Sequence, residues 1–129
     1  MSDTQNIQGL EAGMTLVQAH VPQVIADATP VLSAAIDRRS YPRKYALLVF
    51  ENKETTATAY TIAATVTESA TSGGSYTAAT VTGTLTAISA DGVQWAQIKP
   101  NAAKPFIKIT LTGSNAAVDV ICAASVLFF

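Results

Sequence analysis

From Val31 onward the chain alternates apolar and polar residues with a period of two, the pattern of strands with one buried face. In "AYTIAATVTE" Tyr60, Ile62, Ala64 and Val66 point one way, and Thr61, Ala63, Thr65 and Thr67 the other. "PFIKITLTG" sets Ile107, Ile109 and Leu111 inward against Lys108, Thr110 and Thr112. "KYALLVFEN" reads as a strong strand between Pro42 and a polar "ENKETT" turn. "VLSAAI" is a candidate first strand, and "YTAATVTGTLTAIS" resumes the alternation after the break "SATSGGS". Gly83 inside it suggests a bulge or a close approach. "VQWAQIK" follows the "ADG" turn, with Val93, Trp95 and Gln97 on one face. "VDVICAASVLFF" ends as a strand whose apolar tail should be covered on both faces. About seven short strands with regular turns and no long helix predict an all-β fold: an antiparallel β-sandwich or jelly-roll-like single domain over residues 31–129.

Residues 1–30 lack a sustained period. Gly9, Gly13, Pro22 and Pro30 interrupt any helix, leaving at most a helical turn around Leu16 to His20. We read an extended N-terminal arm, with an extra edge strand on the main domain as its alternative.

Composition sharpens the picture. The 129 residues fit one domain. The hydrophobic share is 49%, while charged residues make up 13%, about half the usual ~25%. So weakly charged a surface suits a protein covered by copies of itself or by a partner. The run Thr56 to Ala87 carries one charge, Glu68. Its threonines are β-branched, suit a pleated surface and still bond to water, so they keep an outer face soluble without charge. The net charge of −1 gives no global field for nucleic acid or an anionic membrane. No basic region precedes an apolar run at the N-terminus, and no uncharged window is both long and apolar enough to span a bilayer. Cys122 is the only cysteine, so no intrachain disulfide forms. Within its apolar run it reads as a small buried hydrophobe made in a reducing cytoplasm.

Candidate chemistry is sparse. His20 is the one histidine and sits in the irregular N-terminal segment, where it reads as a polar arm residue. No serine occupies a G-x-S-x-G elbow. "SGGS" lacks the lysine of a phosphate loop and reads as a hairpin turn. Glu51 and Glu54 could in principle form an acid–base pair, but they fall in a polar turn with no sign of a cleft. No cofactor, metal site or catalytic residue is expected. Core packing is the expected place of Trp95, Tyr76 and Tyr60, whose rings could otherwise offer stacking surfaces.

The one charge cluster is "DRRSYPRKY". Arg38, Arg39, Arg43 and Lys44 interleave with Tyr41 and Tyr45. Three readings stand: a solvated loop, a contact with an acidic patch on a partner protein, or phosphate and stacking contacts to single-stranded nucleic acid. Arg38, Arg39, Tyr41, Arg43 and Lys44 are the candidate partner-binding residues.

The order of segments resembles the capsid decoration, or cement, proteins of tailed bacteriophages. A strand ending in Ile36 and Asp37 leads through the basic, aromatic turn Arg38 to Tyr45 into the hydrophobic strand Ala46 to Phe50. Val66, Glu68, Ser69, Gly73 and Gly74 follow as a "v-x-E-S" strand with a Gly/Ser turn. "KPFIK", Lys104 to Lys108, approximates the basic–aromatic–apolar–basic run of a late strand, with Pro105 inserted and Phe in place of Tyr. The resemblance covers residues 31 to 128 and leaves the first 30 outside.

It implies a non-enzymatic β-domain that binds the outside of a capsid, often as a trimer, and reinforces the shell. The expected partners are a major capsid protein and further copies of the chain, not nucleic acid or membrane, and the expected place is the virion surface. Two alternatives are a tail, neck or fibre component and a carbohydrate-binding β-sandwich in host adsorption.

Overall fold

The computed structural model describes residues 14–25, 30–41, 43, 45–54, 61–83, 85–86, 92–114 and 120–129. Ten strands run in chain order: β1 (Thr15–Val24), β2 (Val31–Leu32), β3 (Ile36–Asp37), β4 (Ala46–Glu54), β5 (Thr61–Ser69), β6 (Thr77–Ala78), β7 (Val81–Gly83), β8 (Gly92–Ile98), β9 (Phe106–Ser114) and β10 (Val120–Phe128). Among the described residues one 3-10 turn, Arg38–Ser40, follows β3.

One sheet has the order β1-β10-β4-β8-β7, the other β2-β9-β5-β6, with β3 also on β9. The antiparallel pairs are nested: β1 with β10, β2 and β3 with β9, β4 with β8, β5 with β6. First pairs with last and inner pairs with inner, which is the jelly-roll arrangement of two packed sheets.

The core lies between the sheets. Leu48, Phe50, Val126 and Phe128 from the first sheet meet Ile62, Ile107, Ile109 and Leu111 from the second, each at 2% exposure or less. The inward faces of β5 and β9 are those the alternation predicts. The outward face of this second sheet carries the threonine ladder, with Thr65 opposite Thr110 and Thr67 opposite Lys108.

Several local expectations are corrected. For Thr15–Val24 the alternative to an arm holds: it is an edge strand paired along β10. Pro22 is accommodated because register shifts between Gln18 and His20 and between His20 and Gln23 mark bulges, where a missing N–H costs no ladder bond. Residues 1–13 lie outside the described residues. "ENKETT" does not begin as a turn, because β10 and β8 pair with β4 on both sides as far as Asn52. On β8, Val93, Trp95 and Gln97 do share a face, but it is the outward one: Ala96 and Ile98 are buried, while Val93 and Trp95 stand 56% and 65% exposed, so Trp95 does not pack in the core.

"VLSAAI" splits into β2 and β3 at Ser33. The Ser33 N–H donates to the Ile109 carbonyl at 2.9 Å, and the Ile109 N–H donates to Ser33 Oγ at 2.9 Å. A side-chain oxygen thus replaces one backbone acceptor of the ladder. The strand after "SATSGGS" divides too: β6 stays on β5, and β7 pairs with β8 in the opposite sheet. The chain changes sheets across Ala79 and Thr80, whose backbones bond to Val66 and Lys99 respectively. "SATSGGS" itself is a turn, closed by Gly74 N–H to Thr71 O at 3.2 Å. A Cβ at Gly74 would meet Thr71 Oγ1 at 2.4 Å and Ser69 Oγ at 2.8 Å, so any side chain there has to push those two hydroxyls aside.

Candidate functional site

The basic–aromatic segment forms the wall of a recess at one end of the sandwich. Arg38, Arg39, Tyr41, Arg43 and Tyr45 line one side; Ile98, Pro100 and Pro105 line the other; Ala46 and Phe128 contribute from β4 and β10. The cavity volume is about 340 Å³. Lys44, the remaining member of the predicted cluster, lies outside the described residues.

Local chemistry shapes the wall. Asp37 caps the 3-10 turn by accepting from the Arg39 N–H at 3.0 Å. Its carboxylate also receives Arg39 Nε and Nη2, each at 3.0 Å, a bidentate pair. The Arg39 hydrogen bond holds the Asp37 carboxyl below its ordinary range. Reciprocally, Asp37 raises the Arg39 guanidinium. The same guanidinium lies 5.1 Å from the centre of the Phe106 ring.

Arg38 does something different. Its side chain is 12% exposed and pairs with Glu68, itself 8% exposed, at 3.2 Å. It also donates to the carbonyls of Lys99 at 3.1 Å, Asn101 at 3.4 Å and Lys104. Glu68, the lone charge of the threonine-rich run, is therefore buried on β5 as the counter-ion of Arg38. Arg38 fastens the 99–105 loop to both β3 and β5 and is committed inside the chain. Of the predicted contact residues, Arg39 and Arg43 are exposed at the rim.

The aromatic members are anchored by the end of β10. Tyr41 stacks on Phe128 with centroids 4.7 Å apart and rings inclined by 14°. Tyr45 tilts against Phe129 at 5.3 Å, and the two residues exchange backbone bonds of 2.8 and 2.9 Å. Sequence reading missed Ile98, Pro100, Phe128 and Phe129 as parts of this site. They come from 50 to 90 residues downstream, and only the strand order brings them here.

No histidine, cysteine, aspartate or glutamate is among the described residues lining this recess. His20 lies elsewhere, 3% exposed between the sheets, and so is not a polar arm residue. Cys122 is buried as expected, and burial pushes its thiol up to about 11. Tyr76 is half-buried, with Lys108 Nζ 4.6 Å from its ring centre and its hydroxyl donating to Ser72 O at 2.7 Å. Trp95 is the open aromatic, and Tyr60 lies outside the described residues. What the recess can offer is shape, apolar floor and cationic rim, the means of holding a chain segment or ring.

No protein-family model and no curated protein matches the chain. Solved structures do share its fold. The PBSX exported protein XepA aligns with a TM-score of 0.58 at 10% identity, covering 87% of this chain and 36% of XepA. The chain thus spans about a third of that protein's length. The SPBc2 prophage-derived protein YomS aligns at 0.52 and 9% identity, covering 90% of this chain and 93% of YomS. The CBM22-1-GH10 modules of Clostridium thermocellum endo-1,4-beta-D-xylanase 10B, complexed with xylohexaose, align at 0.56 and 10% identity, covering 91% and 26%. At these identities the likeness is one of fold.

Proposed function

We propose that this chain is a non-catalytic structural protein of a phage virion that decorates and stabilises the outer surface of the capsid. The observation that carries the reading is the recess itself. It gathers the decoration-like turn, with Arg39 and Arg43 exposed at its rim, over an apolar floor. Such a cationic rim suits an acidic or aromatic segment of a capsid neighbour, since guanidinium groups attract negative charge and stack on aromatic faces. The fold shared with a prophage-derived protein, YomS, supports the choice of a virion part. Binding to the assembled shell and not to its dissociated subunits would stabilise the shell by mass action.

The test is the ratio of this chain to the major capsid protein in purified virions, with binding of the purified chain to undecorated capsids. A ratio near one, or a simple fraction of it, supports decoration. A ratio of a few per cent assigns the chain to tail or neck, and absence from particles overturns the virion role. Arg39→Ala with Arg43→Ala should weaken capsid binding. Unchanged binding would reduce the rim to a solvated loop.

One observation favours a second reading, a carbohydrate-binding sandwich: the Trp95 ring is 65% exposed, as a sugar-stacking platform would be. A glycan array distinguishes it.

A further inference from the structure

The outward faces of the two sheets differ in kind. That of the second sheet is built of threonine; that of the first is apolar. Strand pairing aligns Leu16, Leu127 and Leu47 in one cross-strand row, continued by Gln97. The next outward row is Gln18, Ser125, Val49 and Trp95, polar at the β1 end and apolar at the β8 end. Leu16, Val93 and Trp95 are each more than half exposed. Among the side chains described on this face, Glu51 is the one charge. Contiguous apolar surface of this extent marks an interaction site on a soluble protein.

The face has relief. Trp95 projects from β8, and beside it lies a hollow of about 520 Å³ lined by Pro22, Glu51, Val93, Ile121 and Ala123. Gly92 and Ala123 are among its lining residues and contribute almost no side-chain volume. Trp95 and Val93 are two residues apart, so knob and hollow are neighbours roughly 7 Å apart along one strand.

We propose that this face is the interface of a two-fold homodimer, in which Trp95 of each copy enters the hollow of the other. Three features favour a second copy as the occupant. Knob and hollow on one face are self-complementary under a two-fold axis lying between the sheets and midway between them, as an isologous contact requires. Glu51, the polar wall of the hollow, offers an acceptor to the incoming indole N–H, a donor that buried tryptophans satisfy. Finally, four long strands at ~4.8 Å spacing and roughly 3.3 Å per residue give a face of roughly 19 by 30 Å, which side-chain relief brings towards the ~800 Å² per partner of a stable interface. The inference deepens the assembly reading and assigns self-association to a face distinct from the basic recess.

Trp95 is the only tryptophan, so its emission reports the interface directly. Sedimentation equilibrium and tryptophan emission of the full chain, over a dilution series, should show a dimer whose emission moves to the red as it dissociates. Trp95→Ala should weaken dimerisation roughly thirtyfold or more, as loss of a central aromatic anchor does. Ala123→Trp, which fills the hollow, should do the same while leaving Trp95 in place. Mixing these two variants should restore a heterodimer, because one retains the hollow and the other the knob. A monomer at every concentration, a trimer, or a dimer indifferent to both variants overturns the proposal. So does a chain that is monomeric alone and shields Trp95 only on capsids, an outcome that leaves the virion role standing.

Discussion

His20 on β1 donates its Nε2–H to the carbonyl of Ile109 on β9, at 2.7 Å, across the gap between the two sheets. The carbonyl can only accept, so this nitrogen carries the proton and Nδ1 faces Gln23 Nε2 at 3.4 Å. The same carbonyl accepts from the Ser33 N–H, and the Ile109 N–H is satisfied by Ser33 Oγ. His20 and Ser33 together fix how the first strand and the β2–β3 segment meet the middle of β9.

This clamp can be measured. His20→Ala removes a buried ring and an inter-sheet hydrogen bond and should cost about 2–4 kcal/mol. Ser33→Ala leaves the buried Ile109 N–H without its acceptor and should cost about 1–3 kcal/mol. Denaturant unfolding of each variant reads the loss. An unchanged midpoint for both would mean that β1 is held by its pairing with β10 alone.

Arg38 and Arg39 are adjacent in sequence and opposite in consequence. Arg38→Ala strands a buried Glu68 and frees three loop carbonyls, so a loss of about 3–5 kcal/mol is expected. Arg39→Ala removes an exposed pair and should leave the melting temperature nearly unchanged. Thermal melts compare them directly. Equal effects would show that Arg38 is not the internal fastener described above.

Gly83 has φ of +118°, and a Cβ there would sit 3.1 Å from the Trp95 carbonyl oxygen and 3.2 Å from the Ala96 Cα. Gly83→Ala should therefore destabilise by about 1–3 kcal/mol through backbone strain and crowding against β8. A thermal melt unchanged by the substitution would mean that β7 lifts away at little cost.

Cys122 is 1% exposed, and burial raises its thiol from an ordinary 9.0 to about 11. Folding thus favours the neutral thiol. The stability this contributes is complete below the ordinary value and is lost as pH rises through about 11. At mildly alkaline pH a thiol reagent should label the native protein only as fast as it opens, and the unfolded chain at once. Rapid native labelling would place Cys122 at a mobile edge.

What the sequence determined by itself is what local periodicity encodes. The class is all-β, and the inward faces of β5 and β9 follow from the alternation of Ile62, Ala64, Val66 and of Ile107, Ile109, Leu111. The Gly73–Gly74 turn and the buried Cys122 follow from composition just as local. Period two states that two faces differ, but only contrast along the strand says which is inside. In "VQWAQI" both faces offer apolar residues, and the small Ala96 with Ile98 won the core over Trp95. Tertiary structure decided what depends on partners distant in the chain. Thr15–Val24 lacks a sustained period, is bulged and is interrupted by Pro22, and it becomes a strand because β10, a hundred residues later, supplies its hydrogen bonds. Arg38 and Glu68 look like surface charges until β3 and β5 bring them together at 3.2 Å. The recess has the same origin, since its Arg–Tyr wall is written in one segment while its floor comes from β4, β8 and β10.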